Sequence, residues 1–234
     1  MDMIRGALIT VVATTALALG MSRLTEVDTL TGEVNDESIV PIVKNMTDDG
    51  AALNSLLKTR LIIHSPGGSV SDMELLLQIM KTNKRYVQTE IPVFAASAAA
   101  DVFLAGNKRL MAKNAEILFH EVRIMLGDPF SGMLMITYTD LKSFAETGKL
   151  ADNSEHLKRG SEKQAIESLK EIPLEIIKKM VEHMTKLHEK HIEFVMERTG
   201  LTKEEVISKI LIPNVDVTFG LEEALKLNIA TGEI

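Results

Sequence analysis

The chain has 234 residues, room for one domain of ordinary to large size or two small ones, with a substantial buried core. A net charge of −7 and an aromatic content of 4% with no Trp exclude a basic groove or a base-stacking platform, so no nucleic-acid partner is implied. Cysteine is absent, which excludes disulfides, thiol nucleophiles and thiolate-held metals.

Residues 6–20, GALITVVATTALALG, carry no charge. The run is short for a membrane span and has the length of the apolar core of an export signal. Ala16-Leu17-Ala18 and Ala18-Leu19-Gly20 both fit small-x-small cleavage, while Arg5 is offset by Asp2. Residues 1–20 therefore read as a signal peptide or membrane anchor, with membrane association through residues 4–20. The alternative is a buried first element, and the location is then cytoplasmic.

Residues 22–234 read as the folded domain. Leu24 to Val34 is a strand, and Asn35-Asp36-Glu37-Ser38 a polar turn or cap. Ile39, Ile42, Val43 and Met46 have helical spacing. Thr59 to His64 is an apolar strand that ends in Pro66-Gly67-Gly68, read as a turn with bare backbone leading into a helix. Ser71 and Glu74 have capping-box spacing, and Met73, Leu76, Leu77 and Met80 form a helix face. Tyr86-Val87 and Ile91 to Phe94 are short β segments. Ala95 to Ala100 opens a small-residue helix that runs to Ala105, and Ala115 to Val122 is a strand. The alternation predicts βα repeats and a mainly parallel sheet.

From Gly127 the texture changes, and residues 127–160 show no firm period. Glu162 to Arg198 is a long helical pattern that Pro173 should kink or restart, and Gly200 stops it. Thr202 and Glu205 form a second capping-box pair. Ile212 to Val217 reads as extended and Glu222 to Leu227 as a last helix.

Three residues could carry acyl-transfer chemistry. Ser97 lies where a β segment turns into a helix, as a nucleophile favoured by the positive helix end or as an ordinary helix cap. His120 ends an apolar run, as a general base or as a half-buried hydrogen-bonded ring. Asp216 precedes the last helix, as the group that orients an imidazole or as a turn residue. Asp101 shares the helix face of Ser97 and reads as a surface or rim carboxylate. Lys108 and Lys113 keep a Ser–Lys dyad open. His183, His188 and His191 on the long helix lack the HExxH pattern and read as a packed or solvated face.

The order is more specific than its members. Leu30 to Ser38, Ile63-His64-Ser65-Pro66-Gly67-Gly68-Ser69-Val70, Ala95-Ala96-Ser97, Asn114 to His120 and Asp216 through Ala224 together resemble the proteolytic subunit of the Clp protease. The resemblance covers roughly residues 24–126 and 176–230. It implies an α/β crotonase-like spiral of ββα units with a protruding helical handle, here an enlarged region of about 127–200. It implies a serine endopeptidase for peptides or unfolded proteins, with no cofactor and no metal. Ser97 is then the nucleophile, His120 the base and Asp216 the orienting acid, with the N–H groups of Gly68 and Ala98 as the oxyanion hole. It also implies a homo-oligomer of heptameric rings and an AAA+ unfoldase as partner. Three positions depart from the family pattern: Val93 replaces a Gly, Ala98 replaces a Met, and 96 residues separate His120 from Asp216, more than is usual. Val93 and the enlarged handle leave open a catalytically silent scaffold on the same fold. The export-like start is similar instead to the signal-peptide peptidase A type of membrane-associated protease, which uses a Ser–Lys dyad.

Overall fold

The computed structural model describes residues 24–47, 57–83, 85–128, 132–152 and 161–234. Residues 1–20, read above as a signal or anchor, lie outside the described residues. No described helix is long and apolar enough to cross a membrane. The chain divides into two compact units, one ending at Ile117 and taking in Gly220–Ile234, the other running from Leu118 to Phe219.

The first unit is a parallel α/β layer, as the alternation predicts. Strand β1 (Leu24–Val34) is joined by helix α1 (Asp36–Thr47) to β2 (Leu57–Gly68), its parallel partner. Helix α2 (Val70–Thr82) leads to β3 (Tyr86–Ile91), which lies parallel on the other side of β2. The short β4 (Phe94–Ala96) touches β2 at Ser65 and Ala95, and helix α3 (Ala98–Ala105) follows. Strand β5 (Lys108–Met111) pairs parallel with β3. Strand β6 (Glu116–Phe119) carries the chain out of the unit. The returning helix α8 (Leu221–Lys226) ends in β10 (Gly232–Glu233), parallel to β5. Buried Arg109 binds this C-terminal segment to β5 by donating to the carbonyls of Ile229 and Asn228, each at 2.8 Å.

Burial follows the apolar periods. Alternate residues of β2 face inward: Leu57, Thr59, Leu61, Ile63, Ser65 and Gly67. Ile39, Ile42 and Met46 of α1 and Met73, Leu76 and Met80 of α2 recur at three- and four-residue steps and are buried. Helix α1 packs on α2, and α2 on α3, along the sheet.

One local reading is corrected. Pro66-Gly67-Gly68 is not a turn: β2 continues through it, with Gly67 and Gly68 paired to Glu33 and Val34 of β1. The helix therefore begins at once, and its cap is Ser69, whose Oγ accepts from the Asp72 N–H at 3.3 Å. Ser71 lies inside the helix and bonds Ser69 Oγ instead.

The second unit opens with an antiparallel hairpin, β7 (Arg123–Asp128) and β8 (Gly132–Thr137), in a stretch where the sequence shows no firm period. Helices α4 (Tyr138–Thr147), α5 (Ser161–Lys170), α6 (Leu174–Thr199) and α7 (Lys203–Lys209) follow, and β9 (Val217–Gly220) leads back. Pro173 is the N-cap of α6, so the long helical pattern is two helices. Gly200 ends α6 in the left-handed conformation, φ 78°. Thr202 and Glu205 form the expected capping box. The core of this unit is built from Leu134, Ile136, Leu141, Phe144, Ile177 and Met184, among others.

Candidate active site

Ser97 sits at the junction of β4 and α3 with φ 55° and ψ −129°. That is a conformation non-glycine residues avoid, at a cost of about 1–3 kcal/mol, and one held only where the surroundings impose it. The Ser97 side chain makes no cap hydrogen bond. Its carbonyl instead accepts from Ala100 N at 2.8 Å and Asp101 N at 3.3 Å, which starts the helix. The Ser97 side chain therefore does not act as a hydrogen-bonding cap of α3. Helix α3 is anchored by burial of every residue from Ala98 to Leu104, Asp101 included, so Asp101 is neither a surface nor a rim group.

The surroundings that impose the bend are glycines. A Cβ on Gly67, φ +95°, would stand 2.6 Å from the Ala96 carbonyl oxygen and 2.7 Å from Ser97 Cβ. A Cβ on Gly68, φ +154°, would strike the Val34 carbonyl oxygen at 2.4 Å. Both glycines are therefore required for β2 to lie against β1 on one side and the Ser97 bend on the other. Gly67 N donates to Ser65 Oγ at 3.1 Å, fixing the strand at that point. Ala98 is the first residue of α3, where a helix leaves its N–H without an intrahelical partner. Val93 is 58% exposed, its carbonyl accepting from Glu116 N at 2.9 Å, so its side chain is turned to solvent.

His120 and Asp216 lie in the second unit, where a different set of contacts holds them. His120 follows β6, and its Nδ1 stands 2.7 Å from the Glu121 carbonyl oxygen. Burial, and then the Arg123 cation, push its pKa below the ordinary value, while the charge of Asp216 acts in the opposite direction. An imidazole held below its ordinary value is neutral at neutral pH. Asp216 is near enough to be felt by His120, but its carboxylate is bonded to Arg123 Nη2. Arg123 is the residue the sequence reading missed: its side chain is only 8% exposed, whereas that of Asp216 is 47% exposed. Phe119 and Phe219, edge to face at 6.2 Å, pack β6, which His120 follows, against β9, which Asp216 precedes.

Glu121, also missed, is 1% exposed. Its carboxylate accepts from Asn214 N at 2.9 Å, Thr139 Oγ1 at 2.7 Å and Thr139 N at 3.3 Å. Only its position beside His120 could have drawn attention to it.

The remaining candidates separate from this chemistry. Lys108 and Lys113 are exposed, and a general-base lysine needs desolvation to lose its proton. His188 is stacked on Tyr138 at 4.8 Å. Among the described residues no group of three His, Asp or Glu side chains could hold a metal ion.

A family model described as Clp protease matches residues 20–172, a span that includes Gly68, Ser97, Ala98 and His120 and stops short of Asp216. The ATP-dependent Clp protease proteolytic subunit 1 of Bifidobacterium longum (strain NCC 2705) is 42% identical over 69 residues. That alignment spans 29% of this chain and 30% of the relative's length.

Proposed function

The chain belongs to the Clp protease family, and on that premise we propose that it is a serine endopeptidase with Ser97 as nucleophile and His120 as general base. The observation that carries the reading is the Ser97 bend, φ 55° and ψ −129°, with an uncapped hydroxyl. A helix cap has no need of that strain, and a presented nucleophile does.

The chemistry follows from the groups. Ser97 Oγ attacks the scissile carbonyl carbon while its proton passes to His120 Nε2. The carbonyl oxygen becomes an oxyanion, for which the N–H groups of Gly68 and Ala98 are the donors. Each such donor is worth roughly 10²–10³ in rate. Collapse expels the amine, which takes the proton from His120, and leaves an acyl-serine. Water, deprotonated by the same imidazole, then releases the acid and restores Ser97. Asp216 favours the imidazolium through its charge.

The substrates proposed are peptides and unfolded proteins, taken into a homo-oligomeric ring, with residues 127–200 as its helical handle and an AAA+ unfoldase as partner. An unstructured peptide assay tests the activity: cleavage by the full chain that vanishes in Ser97→Ala supports it, and equal cleavage by both forms refutes it. Native mass measurement tests the ring. The silent-scaffold alternative loses much of its motive, because Val93 faces solvent and leaves the bend intact. Exposure of Lys108 and Lys113 likewise disfavours a Ser–Lys dyad.

A further inference from the structure

Two connections of the second unit carry the proposed base and its acid: one leaves β6 through His120, and the other enters β9 through Asp216. A base and its acid work together only while these connections keep one mutual geometry. We propose that Glu121 is the positioning residue of the pair: its buried carboxylate ties the His120 connection to the Asp216 connection and fixes both to the start of α4. The proposal rests on the reading of His120 and Asp216 given above.

Glu121 follows His120 directly and is 1% exposed. One of its carboxylate oxygens accepts from Asn214 N at 2.9 Å. The other accepts from Thr139 Oγ1 at 2.7 Å and from Thr139 N at 3.3 Å. Thr139 lies in the first turn of α4, where N–H groups lack partners within the helix and a negative group is favoured. Tyr138 N donates to the Val122 carbonyl at 2.9 Å, so α4 starts on the residues that follow His120. A carboxylate held out of water is costly unless donors surround it. Here the donors come from α4 and from the Asp216 connection, so withdrawing either leaves a buried charge short of partners.

Asn214 is the other end of the tie. It stands two residues before Asp216, is 1% exposed and has φ 61°, a left-handed conformation that Asn tolerates better than most residues. Its Nδ2 donates to Asp140 Oδ1 at 3.3 Å, and its Oδ1 accepts from Thr137 Oγ1. Thr137 Oγ1 accepts in turn from Asp140 N at 3.0 Å, and Asp140 Oδ1 from Ala151 N at 3.1 Å. Buried polar groups satisfied in this way hold one geometry, since moving any of them orphans another. The main chain and side chain of Asn214 are thus both bound, with only Val215 between it and Asp216. Glu121 therefore sets the point from which the Asp216 carboxylate reaches Arg123 and the neighbourhood of His120. Burial lowers the His120 pKa most; among the charges that act on it, Arg123 from β7 and His191 from α6 lower it, and Asp216 raises it.

The test is the NMR titration of His120 in the full chain, its signal assigned by its loss in His120→Gln, with the rate of fluorophosphonate labelling followed over the same pH range. Glu121→Met keeps the length of the side chain and removes both acceptors. Arg123 stays beside His120 on the same segment while Asp216 is released, so the His120 pKa should fall and the acidic limb of labelling should move to lower pH. The plateau rate should drop by about 10²-fold, the scale of a small misplacement. Glu121→Gln can still accept from Asn214 N and donate to Thr139 Oγ1, losing only the Thr139 N bond. It should keep the parent His120 pKa and label no more than about 10-fold slower. If Glu121→Met does not fold, Thr139→Val decides in its place, with the same displacement to lower pH expected. A folded Glu121→Met, or failing that Thr139→Val, with the parent pKa and rate overturns the proposal, as does a Glu121→Gln as damaged as Glu121→Met. Failure of every form to label at Ser97, with the His120 pKa still lowered in Glu121→Met, would sink the peptidase reading and leave the tie standing.

Discussion

Gly67 and Ser97 approach so closely that a single methyl group on the glycine would stand 2.7 Å from the serine Cβ. One residue of β2 is thereby the wall against which the strained bend is formed. Gly67→Ala meets two penalties: the positive φ, worth about 1–3 kcal/mol, and a clash with the Ala96 carbonyl, which is backbone and cannot swing aside. The expected result is lower stability in a denaturant titration and loss of most fluorophosphonate labelling in the fraction that remains folded. A variant as stable and reactive as the parent would show that the contact does not hold Ser97.

Arg123 should govern the acidic side of the pH profile. Its cation disfavours protonated His120, and its bond to Asp216 occupies a nearby carboxylate that favours it. Replacing it with Met keeps the packing of the stem and removes both effects. The folded-state pKa of His120 then rises, and because only the neutral imidazole is a base, the acidic limb of the labelling rate moves to higher pH. A limb that stays in place or moves to lower pH would contradict the electrostatic role.

His188 should make stability depend on pH. Burial first, and then His191, Lys203 and Lys142, hold its pKa down to about 4. Among the described residues its buried Nδ1 has no hydrogen-bond partner, and its ring lies against Tyr138. The ordinary value of about 6.5 applies to the unfolded chain. The unfolded chain thus takes up the proton first as pH falls. The contribution is fully present above about 6.5 and is lost between there and about 4. Phe at this position keeps a stacked ring that does not titrate, so His188→Phe should flatten the fall in Tm between pH 7 and 4. An unchanged slope would place the titration elsewhere.

The capping box of α7 offers a simpler check. Thr202 Oγ1 accepts from Glu205 N at 3.2 Å, and the Glu205 carboxylate accepts from Thr202 N at 3.1 Å. Thr202→Ala should cost about 1 kcal/mol of stability and leave Ser97 labelling untouched. A large loss of labelling would mean that α7 supports the site as well as the fold.

Local rules made part of this molecule legible. The Leu24–Val34 strand, the restart at Pro173, the stop at Gly200 and the Thr202–Glu205 box all depend on residues within a few positions of one another. What escaped was set by distant partners. The Pro66-Gly67-Gly68 segment stays extended because β1 supplies a ladder for it. The β7–β8 hairpin hides its alternation because its outward residues Met125 and Met135 are as apolar as inward Leu134 and Ile136. Ser97, His120 and Asp216 stood out by residue type and order. Arg123 did not, because it meets Asp216 across 93 residues of chain. Glu121 did not, because its carboxylate meets Asn214 N across 93 residues of chain.

The central claim is that Ser97 is a nucleophile, and intact-mass measurement after fluorophosphonate treatment tests it most directly. The account predicts one adduct per chain, located on Ser97, formed faster as His120 loses its proton, and absent from Ser97→Ala. Folded protein that takes up no label, or labels equally in Ser97→Ala, would contradict it.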